Sequence, residues 1–172
     1  MLNNDNLSII NYNRSDAVKY ALKWAFSRNP DYLDFHGLGG DCTNFVSQCI
    51  YAGCQVMNYT PVYGWYYLSS SDRTASWTGV EYLYKFLVSN KNSGPFAEEI
   101  SLEKSLPGDI VQFGNSDYHF FHTAIITEIL PSPSFENILV ASHSYDVDFR
   151  RVASYSFDNI RFLHIRGARI PI

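Results

Sequence analysis

A cysteine and two histidines stand out as residues whose type and spacing suit covalent chemistry. Cys42 follows Gly39-Gly40-Asp41 and precedes apolar residues at 45, 46, 49, 50 and 52. That spacing predicts a half-buried helix, with Asp41 as its N-cap and Gly53 as its stop. Cys42 then occupies the first helical turn, where free backbone N–H groups and the positive dipole end favour a thiolate and can cradle an oxyanion. A nucleophile of this kind needs a base. His122 lies in Phe120-Phe121-His122-Thr123-Ala124-Ile125-Ile126, and His143 in Ala141-Ser142-His143-Ser144. Residue type alone favours core packing for a histidine in such apolar company. Strand alternation puts His122 on one face with Ala124 and Ile126, expected to be the core side beside the Cys42 helix. There the imidazole and the thiol can form an activating ion pair, and His143 can hydrogen-bond His122 and fix its tautomer.

The elements that must position these groups change period along the chain. Asn13-Arg14-Ser15-Asp16 opens a helix predicted over 17–26, which Asn29-Pro30 closes. Cys42 to Ala52 is the second helix, and 80–88 a third. Strands are predicted at 110–113, 120–129 and 138–142, with one or two more within 150–156 and 160–165. Asn90 to Pro95 reads as a turn, and Asp109 after Pro107-Gly108 as turn chemistry. Helices first and antiparallel strands second predict an α+β fold, helices packed on one face of a small sheet. Residues 1–11 read as an N-terminal extension and 12–172 as one domain. The aromatic stretch 55–76 reads as a long loop. Within it Trp65 and Tyr66 are candidates to line a substrate groove, with packing as the alternative. His119 is a candidate for the edge of the cleft.

Composition narrows the function classes. The 172 residues are 46 % apolar and 17 % charged, with a net charge of -4. That suits a packed core and offers no basic face for nucleic acid. No apolar run is long enough to span a membrane, and the first residues lack the pattern of a signal peptide. An extracellular or cell-wall location is therefore expected only as part of a larger secreted protein. Cys42, Cys49 and Cys54 contain no C-x-x-C, and the histidines have no H-x-x-x-H spacing. No metal site and no cofactor are expected. Cys49 and Cys54 read as buried free thiols.

Longer matches add what spacing does not supply. Asn13 to Ala21, Trp24, Asn29-Pro30, Gly39-Gly40-Asp41-Cys42-Thr43-Asn44-Phe45-Val46-Ser47-Gln48 and His122 to Thr127 resemble the "Putative amidase domain" family. The resemblance runs from about residue 12 to residue 150. It implies membership of the NlpC- and CHAP-like branch of papain-fold cysteine hydrolases. In such a site Cys42 is the nucleophile, His122 the base and His143 the polar third residue. Gln48 follows the nucleophile on its own helix, so it is not the oxyanion glutamine. The Cys42 backbone N–H, helped by Asp41 or Tyr32, is the expected oxyanion donor. The implied reaction is hydrolysis of an amide in a peptide, with bacterial cell-wall peptidoglycan as the substrate class. An inactive binding module of the same fold and an acyltransferase using the same residues are the alternatives. The oligomeric state has no signature.

Overall fold

The computed structural model describes residues 6–172. Residues 1–5 of the expected extension lie outside the described part, but Leu7–Ile10 form a strand, β1. Helix α1 (Arg14–Trp24) follows, capped by the Asn13 side chain, which accepts the Asp16 N–H. Helix α2 (Cys42–Cys54) carries the cysteine, and the short α3 (Ala75–Thr78) leads into α4 (Val80–Ser89). Then come β2 (Gly94–Ile100), β3 (Ile110–Gly114), β4 (Phe120–Ile129), β5 (Ile138–Ser142), β6 (Val147–Arg151) and β7 (Asn159–Pro171). The α+β layout is the one expected, and it is consistent in general terms with a papain-like fold.

All strand pairings are antiparallel, in the order β1-β7-β3-β4-β5-β6, with β2 on the other edge of β7. The long β7 pairs three strands at one end of this sheet. Its first half pairs β3, its second half pairs β1, and β2 runs along its opposite side. Gly167, at φ +151°, sits at the register shift between β2 and β7, where an added Cβ would lie 2.6 Å from the Ile10 carbonyl oxygen. Strands β1 and β2 were not expected. Leu7–Ile10 is short, and Gly94-Pro95 carries the residues of a turn, yet pairing with β7 overrides that local signal.

The sheet separates two apolar clusters. On the helix side Phe45, Val46, Cys49 and Ile50 of α2 pack with Ile110, Ile125 and Leu163. On the other side Val111, Phe113, Ala124, Ile126 and Val140 form a second cluster. This corrects the expected face of His122. Ala124 and Ile126 point away from the helices, while Thr123 and Ile125 face them.

Two details of α2 also differ from expectation. Gly53 lies inside the helix, and the left-handed residue that ends it is Gln55 at φ 57°. Gly53 is required by close approach: a Cβ there would run into the Tyr12 ring and lie 2.9 Å from the Asn13 carbonyl oxygen. Asp41 occupies the N-cap position without a capping side-chain hydrogen bond. Its carboxylate instead accepts from the Phe35 N–H and from Asn44 Nδ2. Asp109 is likewise more than a turn residue. It is fully buried, pairs with Arg14 of α1 at 2.6 Å, and hydrogen-bonds His164 at 2.9 Å.

Candidate active site

Strand β5 pairs only the second half of β4, from Ile125 onward. The first half of β4 therefore has a free edge, and the N-terminal turn of α2 sits against it. Contact is made through polar groups: Thr43 Oγ1 lies 3.2 Å from Thr123 Oγ1, which also accepts from Gln112 Nε2 at 3.2 Å. Arg161 Nε donates in turn to Gln112 Oε1 at 2.8 Å. This buried chain fixes helix against sheet, and its unsatisfied parts would be costly if the two separated.

Cys42 and His122 line one cleft of about 440 Å³ where these elements meet. Both are nearly covered, at 7 % and 9 % exposure. The two arrive by different routes. Cys42 comes from the helix side, with its sulfur 3.8 Å from Thr43 Oγ1 and facing the Thr123 backbone N–H. His122 comes from the opposite face of the sheet, its ring 5.8 Å from Phe113 and 5.5 Å from Tyr155. No hydrogen bond joins thiol to imidazole among the described residues. His122 Nε2 is buried and has no hydrogen-bond partner.

Burial sets the charge state of both groups. It pushes the Cys42 thiol above its ordinary value, and the Thr123 N–H and the Thr43 hydroxyl offset this only in part. It pulls His122 down to about 4, with the Arg150 cation adding to the effect. The helix terminus was expected to favour a thiolate and an ion pair. Burial acts the other way on both groups, favouring the neutral thiol and the neutral imidazole.

The other residues singled out from sequence are dispersed. His143 is buried, its ring stacked on Phe45 at 4.0 Å. Its Nδ1 meets Asp41 Oδ2 at 2.5 Å and its Nε2 meets the Trp24 carbonyl oxygen at 2.8 Å. Both nitrogens are thus occupied away from His122, so the expected hydrogen bond between the two histidines is absent. Arg28 completes this cluster, pairing with Asp34 and Asp146 and approaching Asp41 at 3.7 Å. Asp41 offers no side-chain donor to an oxyanion, and its N–H is taken by Ser144 Oγ at 3.1 Å. Tyr32 packs between Tyr67 and Trp77, away from the cleft lining.

Trp65 is fully buried against Trp77 and Phe86, with its Nε1–H donating to Ser47 Oγ. It is a core residue, because the irregular 55–76 stretch folds back onto α2 and carries the indole inward. Tyr66 bonds Asp72 and sits beside Tyr59, and His119 is an exposed residue of the turn between β3 and β4. Neither lines the cleft. Its aromatic wall is Phe121, Tyr145 and Tyr155, and its cation is Arg150. Sequence reasoning missed all four, since they come from strand ends and turns that carry no motif. A larger recess of about 890 Å³ near Leu7, Met57 and Tyr59 is lined by no cysteine, histidine or charged side chain.

The polar residues of the cysteine segment are largely structural. Asn44 bonds Leu33 and accepts from Trp77 Nε1, Ser47 bonds the Trp77 carbonyl, and Gln48 accepts from the Tyr20 hydroxyl. The segment is a seat built to hold Cys42 at one point of the sheet edge. The model of the family described as "Putative amidase domain" matches residues 11–166. The chain belongs to this amidase family. It is also 37 % identical over 118 residues to "Uncharacterized protein YhbB" of Bacillus subtilis (strain 168), a match covering 67 % of this chain and 37 % of that protein. The amidase-family chain thus spans well under half of that relative. No solved structure matches it. Family membership supports a hydrolytic amidase or peptidase role in general terms.

Proposed function

We propose that this amidase-family domain is a cysteine-dependent hydrolase of peptide amides, of the NlpC- and CHAP-like papain branch. The observations that carry the reading are that Cys42 and His122 line the same cleft and that the buried His122 Nε2 has no hydrogen-bond partner. Buried polar atoms are rarely left unpaired, and a catalytic role is among the recognised reasons for one. A neutral imidazole is also the form that can accept a proton.

The steps follow from the groups present. The Cys42 thiol passes its proton to the neutral His122 imidazole as the sulfur attacks the amide carbonyl carbon, forming the C–S bond and a tetrahedral oxyanion. The amide N–H groups of the first turn of α2 face the developing charge. Collapse breaks the C–N bond, and the imidazolium gives its proton to the leaving amine. Water then attacks the thioester carbonyl, losing its proton to His122, and the sulfur departs as the acid is released. The imidazolium returns the proton to sulfur. His143 supports this arrangement indirectly, by holding Asp41 and so the loop before Cys42.

Cell-wall peptide is the substrate class proposed, on the strength of the motif resemblance. Incubation with purified muropeptides, followed by mass spectrometry of the products, tests the reading. Cleavage of an amide that disappears in Cys42→Ala and in His122→Phe is the expected result. No cleavage by the folded parent chain, together with retained binding of the muropeptides, would favour the inactive binding module. Amide exchange onto added amines faster than hydrolysis would favour an acyltransferase.

A further inference from the structure

The cleft that holds Cys42 and His122 is lined by one formally charged side chain, Arg150, and by no carboxylate. Arg150 has no acidic partner among the described ion pairs, unlike Arg14, Arg28, Arg161 and Arg166. It is nevertheless held in place. Its Nε donates to Ser154 Oγ at 2.8 Å and one Nη2 hydrogen to the Ser154 carbonyl at 2.9 Å. Its guanidinium carbon lies 3.9 Å over the Tyr155 ring. The same ring stacks on Phe113 at 4.4 Å and stands 5.5 Å from His122. One edge of the guanidinium is thus fixed by Ser154, the Tyr155 hydroxyl lies close to the cation, and no carboxylate faces it among the described residues. A planar cation, oriented by a stacked ring and without a carboxylate of its own, is the geometry that takes one.

We propose that Arg150 is a specificity-determining residue that binds a free carboxylate on the substrate, beside the amide presented to Cys42. The preferred substrates are then peptides carrying a carboxylate near the scissile bond, and neutral amides are poor ones. This inference rests on the proposed cysteine chemistry for its meaning in catalysis. It also has a physical consequence there. Arg150 disfavours positive charge on His122, whereas the reaction must place a proton on that ring. A carboxylate seated on Arg150 offsets the cation and eases that step, so the correct substrate helps to activate the base.

Alkylation of Cys42 by iodoacetate and by iodoacetamide tests the proposal without knowledge of the substrate. The two reagents differ in little but the carboxylate, and their rate ratio at Cys42 is referred to the ratio measured on glutathione. The expected normalised ratio is on the order of tenfold in favour of iodoacetate, the lower end of what a focused cleft charge achieves. It falls toward unity in Arg150→Gln and is partly kept in Arg150→Lys, which retains charge but not the fork. A parent ratio equal to that of glutathione, or one unchanged in Arg150→Gln, overturns the proposal while leaving Cys42 as the nucleophile. Failure of Cys42 to react with either reagent in the folded protein would overturn the cysteine mechanism, and this inference with it.

Discussion

Acidification should destabilise the protein through His122, by an amount the structure sets. The folded value is about 4 against an unfolded 6.5, because burial opposes the charged ring. Between these values the unfolded chain binds a proton that the native chain does not. The stabilising contribution is therefore complete above about pH 6.5 and is lost as pH falls, the loss levelling off below about 4. At ~1.4 kcal/mol for each pH unit separating the folded from the unfolded value, the full loss is about 3 kcal/mol, of which about 2 kcal/mol arrives between pH 7 and pH 5. The assay is urea unfolding at half-unit pH steps from 7.5 to 4, on the parent and on His122→Phe. Phenylalanine keeps an aromatic ring against Phe113 and Tyr155 but cannot titrate. Subtracting the two curves cancels the carboxylates, including Asp34, which both proteins share. The difference should change by about 2 kcal/mol between pH 7 and pH 5, the parent losing more. Parallel curves over that range would refute the buried, neutral His122.

Three further substitutions probe other parts of the structure. Gly53→Ala should lower stability by about 1–3 kcal/mol, as overpacking does, because its Cβ would press on the Tyr12 ring and the Asn13 carbonyl; the urea midpoint reads it. Asp41→Asn replaces the buried carboxylate that His143 and the Phe35 N–H bond, and should cost about 1–3 kcal/mol, the scale of a buried hydrogen-bond partner lost. Its thermal midpoint should fall well below that of the surface control Asp117→Asn. Arg150→Gln should move the acid limb of the Cys42 acylation rate upward, toward 6.5, since the cation that helps hold His122 down is gone; a pH–rate profile reports the shift.

The parts of the fold that were legible in the sequence are those with long, periodic or capped segments. Strands β4 and β5 and helix α2 each carry a run dense enough in apolar residues to specify itself locally. The edge strands β1 and β2 were not legible, because their extended state depends on β7, some 70 to 160 residues away in the chain. Cys42 and His122 were legible as residues of one cleft, but the face of His122 was not. Alternation gives two faces and does not say which one the helices cover. The charge state was hidden for the same reason, since desolvation depends on how Phe113 and Tyr155 close over the ring. His143 shows the opposite failure, since it looks available to His122 but is consumed by hydrogen bonds to Asp41 and Trp24, while Trp65 takes the packing alternative.

The proposed mechanism stands on Cys42 being acylated while neutral His122 takes its proton. Reaction with p-nitrophenyl acetate follows that step, since p-nitrophenolate release gives the rate and peptide mapping gives the acetylated residue. One acetyl group on Cys42 is expected, at a rate that rises around pH 4–5 and is then level to about pH 8, because neutral thiol and neutral imidazole are the reacting pair. A loss of roughly 100-fold or more is expected in His122→Phe, the usual scale of a removed general base. Acetylation that climbs about tenfold per pH unit through neutrality, as a simple free thiol does, with no change in His122→Phe, would contradict it.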